Sequence, residues 1–202
     1  MQNRQREQFA ALITLIALAV VGIIVNRYTL NNQERNAAAL ASIQEVAEVD
    51  GSRFAWQTQL AQGSAADFVA LTRDGTEVRL SSFLGEVVFL NFWATNCAPC
   101  RKEMPDLQRL AEKTSGLPFR IVAVTTDKDW NDVDQMLPNG LPGVEILMDP
   151  TGGDIRRSFG TEKIPESYLI DKSGKLRLRF VSVHPWTDDR IFRFIESLAN
   201  DT

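Results

Sequence analysis

The sequence predicts an α/β fold, a mixed central sheet flanked by helices and preceded by a transmembrane helix. Three observations carry this. Two nearly unbroken apolar runs of strand length, Val87–Phe92 and Phe119–Val124, bracket a segment with helical apolar spacing. That is the pattern of a strand–helix–strand unit whose strands are covered on both faces. Asp74-Gly75 and Asp171-Lys172-Ser173-Gly174 each separate two short strand-like runs, which marks two hairpins and so antiparallel strands beside the parallel pair. Finally, Phe9–Val25 is seventeen residues without a charge; as a helix it reaches about 25 Å, the short end of what spans a bilayer core.

The elements follow in order. Residues 1–8 are a short tail carrying Arg4 and Arg6, and Gln8 and Asn26 bound the apolar run of residues 9–25. The residues after it, Asn26-Arg27-Tyr28-Thr29-Leu30, make a poor signal-peptidase site, so the run is expected to stay as an anchor. The two arginines favour a cytoplasmic tail and a domain on the outer side. Residues 26–60 are expected to be a spacer, with an Ala-rich helix at Glu34–Val49 stopped by Asp50-Gly51. The domain is expected over residues 61–202. Phe68–Leu71 and Glu77–Leu80 form the first hairpin. After Val87–Phe92 comes a helix from Pro99 to about Thr114, with Met104, Leu107, Leu110 and Ala111 on one face. Phe119–Val124 is the next strand, Asp129–Leu137 a helix, Val144–Met148 a short strand, and Ile155–Phe159 a brief helix. Ser167–Ile170 and Lys175–Val181 form the second hairpin. Asp188–Ala199 closes the chain as a helix, with Ile191, Phe194, Ile195 and Leu198 on one face.

The chemistry sits at the junction of the first buried strand and its helix, in Trp93-Ala94-Thr95-Asn96-Cys97-Ala98-Pro99-Cys100. Unpaired N–H groups and the helix dipole stabilise negative charge at a helix N-terminus. A thiol there ionises more easily, and the thiolate is the nucleophile. The second thiol, three residues on, can attack the mixed disulfide made by the first and release it. Cys97 is therefore expected to attack and Cys100 to resolve. Pro99 fits the first helical turn, where no N–H is needed. Glu103, three residues after Cys100, falls on the same helix face and can take the proton of the resolving thiol.

The stretch Phe83-Leu84-Gly85-Glu86-Val87 through Cys97-Ala98-Pro99-Cys100-Arg101-Lys102-Glu103-Met104-Pro105 resembles the TlpA/ResA-type thioredoxin-like proteins, with the cytochrome c maturation thioredoxins as near relatives. The resemblance runs from about Asp67 to Ala199. It implies a thioredoxin-like fold, a membrane-tethered protein facing outward from a bacterial inner membrane, and reduction of protein disulfides, apocytochrome c among them. Its partners would be disulfide-bearing proteins, a membrane electron donor of the thiol-transfer type, and the bilayer itself. No cofactor is implied beyond the redox-active pair Cys97–Cys100. Ile164-Pro165 is similar to the family's cis-proline, beside which an extended substrate segment can pair. The resemblance thereby implies a substrate face of Trp93, Asn96, Pro99, Ile164, Pro165 and Glu166. Glu166 is also similar to a glutamate of the cytochrome c maturation branch, and Trp186-Thr187-Asp188 opens the last helix as it often does there. One departure stands out: Asn96 takes the place where this group usually has Trp. Asn91 stands where thioredoxin has a buried Asp, so proton transfer is expected to come from elsewhere.

Composition closes other routes. A net charge of −4 without a Lys/Arg tract argues against a nucleic-acid partner. One His and two Cys leave little for a metal centre, and His184 before Pro185 is expected to be a surface turn residue. A peroxidase of the related peroxiredoxin group needs Thr or Ser three residues before its Cys, where this chain has Ala94. A copper-delivery protein on the same fold would resemble a CxxxC spacing with a His near Ile164-Pro165, and neither is present. A redox-inactive binding module is the remaining alternative, and Asn96 is what speaks for it.

Overall fold

The computed structural model describes residues 18–27, 30, 57–60 and 63–200. The chain divides into two units, residues 1–50 and 51–202. In the first, residues 18–27 are helical. Among the described residues no helix is long and apolar enough to cross a membrane; residues 9–17, where the expected anchor begins, and the expected helix at Glu34–Val49 lie outside the described set.

The second unit carries an eight-stranded mixed sheet. Its strands are β1 (Gln57–Leu60), β2 (Val69–Leu71), β3 (Glu77–Arg79), β4 (Val87–Trp93), β5 (Phe119–Thr125), β6 (Val144–Met148), β7 (Glu166–Ile170) and β8 (Leu176–Val181), in the spatial order β1-β8-β7-β4-β5-β6-β2-β3. The helices are α1 (Ala98–Lys113), α2 (Trp130–Met136), α3 (Asp154–Ser158) and α4 (Asp189–Asn200), with a 3-10 turn at Leu80–Phe83. Strands β4, β5 and β6 run parallel, and β7 and β8 run antiparallel beside them. Both expected hairpins are present, and Gly75 and Gly174 turn them with φ of 85° and 80°, values that cost glycine little.

The sheet begins earlier than the sequence suggested. Gln57–Leu60, assigned above to the spacer, pairs antiparallel with Leu178–Val181. Its Gln-Thr-Gln-Leu carries no apolar alternation, so only its partner reveals it.

Strand alternation divides the core into two layers. Val88, Leu90 and Phe92 join Val122, Val124, Tyr168 and Ile170 on one face, packed with Phe68, Leu80, Phe83 and Ile155. The odd-numbered residues of β4 face the other layer, with α1 and the segment before α4. There Phe89 meets Trp186 at 4.8 Å between ring centroids. Helix α4 buries Ile191, Phe194, Ile195 and Leu198, about 1.5–3 kcal/mol each by area, which secures the C-terminal end of the chain to this layer.

Candidate active site

Strand β4 is buried along its whole length and ends at Trp93, in the middle of the sheet between β7 and β5. A turn through Thr95-Asn96 follows, and Cys97 becomes the N-cap of α1. The turn is held from both sides. The Asp127 carboxylate accepts the Thr95 N–H and hydroxyl at 2.9 Å each, and the Arg101 guanidinium donates to the Thr95 carbonyl at 2.7 Å.

Cys97 and Cys100 are joined as a disulfide with Cα atoms 5.3 Å apart. Cys100 is fully buried, whereas Cys97 is half-buried. The Cys100 N–H points at Cys97 Sγ from 3.2 Å, so the free amide of the first turn is aimed at the sulfur that carries negative charge when the bond opens. Pro99 is exposed in that first turn.

Antiparallel pairing brings the second half of the site into place. Phe92 stands opposite Glu166, so the residues just before β7 lie beside the end of β4. The Ile164–Pro165 peptide is cis, and the Ile164 carbonyl oxygen lies 3.8 Å from Cys97 Sγ. Ile164 is half-buried and Pro165 buried. The structure thus brings Asn96, Cys97, Pro99, Ile164 and Pro165 to one end of the sheet, with Asn96 exposed.

Glu103 is fully buried on the inner face of α1. Its Oε1 accepts from Asn91 Nδ2 and its Oε2 from Trp186 Nε1, both at 2.9 Å. Burial raises the carboxyl to about 7 against the pull of these two donors, and Asp106 adds to the rise. The carboxyl lies one turn beyond Cys100 on the same helix face. Asn91, which stands where the resemblance has a buried acid, is one of the two donors that hold the Glu103 carboxyl. Sequence reasoning did not bring Asn91, Ser167 and Trp186 together with Glu103, as these hydrogen bonds do. Trp186 and Ser167 lie 83 and 76 residues from their partners, beyond any local pattern.

Three expectations change. Trp93 is completely buried, because alternation turns it under α1 with Phe89 and Asn91, so it supports the site from below and offers no substrate surface. Glu166 is buried on the opposite face of the sheet, where Thr161 donates at 2.8 Å and Arg179 at 2.6 Å, with Tyr168 as a third donor. Its carboxylate serves that network, and only its backbone borders the cis-proline. His184 is buried, 5.3 Å from both the Phe180 and Trp186 rings, and burial lowers it to about 4. Proline and loop position suggested a surface; the aromatic pair closes over it instead.

Residues 61–179 match the AhpC/TSA family. The thiol-disulfide oxidoreductase ResA of Bacillus thuringiensis subsp. konkukian is 36% identical over 112 residues, which are 55% of this chain and 64% of that protein. ResA of Geobacillus thermodenitrificans is 34% identical over 179 residues, 88% of each chain. Among solved structures, a protein of Chlorobium tepidum assigned as the thiol:disulfide interchange protein DsbE superposes with a TM-score of 0.62 at 32% identity, covering 70% of this chain and all of that one. A CxxC at a helix N-terminus beside a cis-proline, on this fold and with these relatives, places the chain in the AhpC/TSA family, among the ResA-type thiol-disulfide oxidoreductases.

Proposed function

We propose that the chain reduces disulfides of proteins on the outer side of a bacterial inner membrane, to which its N-terminal segment anchors it. The observation that carries this is the asymmetry of the pair: an accessible Cys97 bonded to a fully buried Cys100, with a buried proton acceptor, Glu103, one turn on. In the reduced protein the Cys97 thiolate attacks a substrate sulfur. The substrate S–S bond breaks, a mixed disulfide forms, and the departing sulfur takes a proton from solvent. Cys100 then gives its proton to Glu103, and its thiolate attacks Cys97 Sγ. The mixed S–S bond breaks, and the second substrate sulfur leaves as a thiolate and is protonated. Two electrons have passed to the substrate, and Cys97–Cys100 is the disulfide seen here. A membrane dithiol donor resets it by the reverse sequence. Apocytochrome c, with two thiols to be kept reduced, is a fitting substrate.

The charges around the pair support the reducing direction. Strong oxidants of this fold stabilise their reduced thiolate. Here Ala98-Pro99 between the cysteines offers no cation, Arg101 is committed to the Thr95 carbonyl, and an ionised Glu103 opposes a second negative charge nearby. The potential is expected nearer the roughly −270 mV of thioredoxin than the roughly −120 mV of a strong oxidant. Equilibration against glutathione measures it, and a value above about −180 mV overturns the reductase reading. Peroxide consumption is expected to be absent, since Ala94 supplies no hydroxyl three residues before Cys97. Protease added to the outside of spheroplasts is expected to remove the chain from about Arg27 onward; full protection would reverse the orientation, and recovery of a trimmed soluble form would remove the anchor.

A further inference from the structure

We propose that Asn91 is a proton-linked hydrogen-bond switch that reports the charge of Glu103 to Ser167, the third residue of the segment that begins at Pro165. It deepens the reductase reading, since it gives the proton taken up at α1 a route to the strand that borders the substrate.

Asn91 Nδ2 donates to Glu103 Oε1 and to Ser167 Oγ, both at 2.9 Å. The other end of the same amide, Oδ1, is buried and has no hydrogen-bond partner among the described residues. A buried unpaired acceptor is unfavourable, so an amide held this way has little to fix it but its two acceptors. Both Glu103 oxygens are free to accept only while Glu103 is ionised. A carboxylic acid has a proton to place, and Glu103 meets donors on both oxygens, Asn91 and Trp186. Turning the amide by a half rotation exchanges two ends of nearly the same shape. Oδ1 then accepts from the Glu103 hydroxyl, and the Ser167 hydroxyl rotates to donate to it. Each orientation keeps both bonds and leaves one end of the amide unpaired, so the Glu103 proton decides between them. No covalent bond changes; one proton arrives and two hydrogen bonds reverse direction.

The surroundings do not supply a competing charge. On α1, Asp106 faces Glu103 but is paired with Arg109, and Cys100 is held in the disulfide. On β5, Ala123 stands opposite Asn91, and the buried face of α4 is apolar. Behind Trp186 lies His184, which burial keeps neutral down to about pH 4. On β7, Glu166 is occupied across the sheet with Arg179.

The test is side-chain amide NMR of the full, oxidised chain in detergent micelles, with asparagine labelled in nitrogen-15. Cross-relaxation between the Asn91 amide protons and the Ser167 β-protons is expected on the alkaline side of the Glu103 midpoint and lost on the acid side. In Glu103→Gln, permanently neutral, the pH dependence is expected to vanish. Cross-relaxation that persists on both sides makes Asn91 a fixed donor and overturns the switch. Asn91→Leu gives a second readout: removing a switch takes one bond from each charge state, so the Glu103 midpoint is expected to move by less than about half a pH unit, whereas losing a fixed donor raises it by more. If that variant does not fold, the wild-type spectra still decide. The spectra do not depend on redox potential, so the switch and the reductase reading can fail separately.

Discussion

Cys97→Ser is expected to lose turnover down to the uncatalysed background and to form no mixed disulfides, whereas Cys100→Ser is expected to attack once and stop. The geometry separates the roles. Cys97 Sγ is the reachable sulfur and receives the Cys100 N–H, so it is both accessible and stabilised as a thiolate. Cys100 is sealed beneath it, where it can reach a disulfide formed at Cys97 and little else. Non-reducing gels of Cys100→Ser made in the protein's own host cells should show trapped adducts that thiol reductant releases, and their protein component identifies the substrate. In the reduced wild type, alkylation is expected to be faster at Cys97. Faster labelling of Cys100 would exchange the two roles.

The second large effect concerns stability against pH, where two buried groups pull in opposite directions. Glu103 has its ordinary value of 4.5 in the unfolded chain and about 7 in the fold. Its contribution is fully present below 4.5 and is lost as pH rises to about 7, because the fold holds the proton more tightly. His184 goes from 6.5 to about 4 on folding. Its contribution is present above 6.5 and is lost as pH falls to about 4. Each effect is on the order of 3 kcal/mol, and they cancel in part between about 4.5 and 6.5, giving the wild type a shallow profile. Glu103→Gln should unmask the acid-side loss and remove the decline toward neutrality. His184→Phe, which keeps a ring between Phe180 and Trp186, should do the reverse. Urea midpoints from pH 4 to 8 measure both, and parallel profiles for wild type and variants would show that neither group is perturbed as described.

Local chemistry made the centre of the fold readable and distance hid the rest. Strands β4 to β8 and the four helices follow from apolar period and turn residues, within one or two residues at their ends. The two sulfurs, the helix that caps them and the proline facing them also follow, since each rests on neighbours in sequence or on a resemblance carried by contiguous residues. Strand β1 escaped because Gln57–Leu60 is polar and is defined by β8 alone. Glu103 was legible as a nearby carboxylate, while its burial and partners were not: Asn91 read as a missing acid and Trp186 as a helix opener, and only packing makes them its two donors. Glu166 shows the same limit from the other side. Its place next to Pro165 was plain, but strand alternation turns its side chain away toward Tyr168 and Arg179. A lone histidine before a proline carries no signal of burial until Phe180 and Trp186 enclose it.

The clamp on Thr95 has a practical consequence for anyone who wishes to retarget this protein. Asp127 and Arg101 fix the turn through the backbone and hydroxyl of Thr95, and Asn96, its exposed neighbour, contributes no side-chain bond to that scaffold among the described residues. Shape and identity are therefore uncoupled at position 96. A library of uncharged residues there would repaint the surface beside Cys97 while leaving the loop and the helix cap as they are, and charged residues would add a shift of the Cys97 thiol to that change of surface.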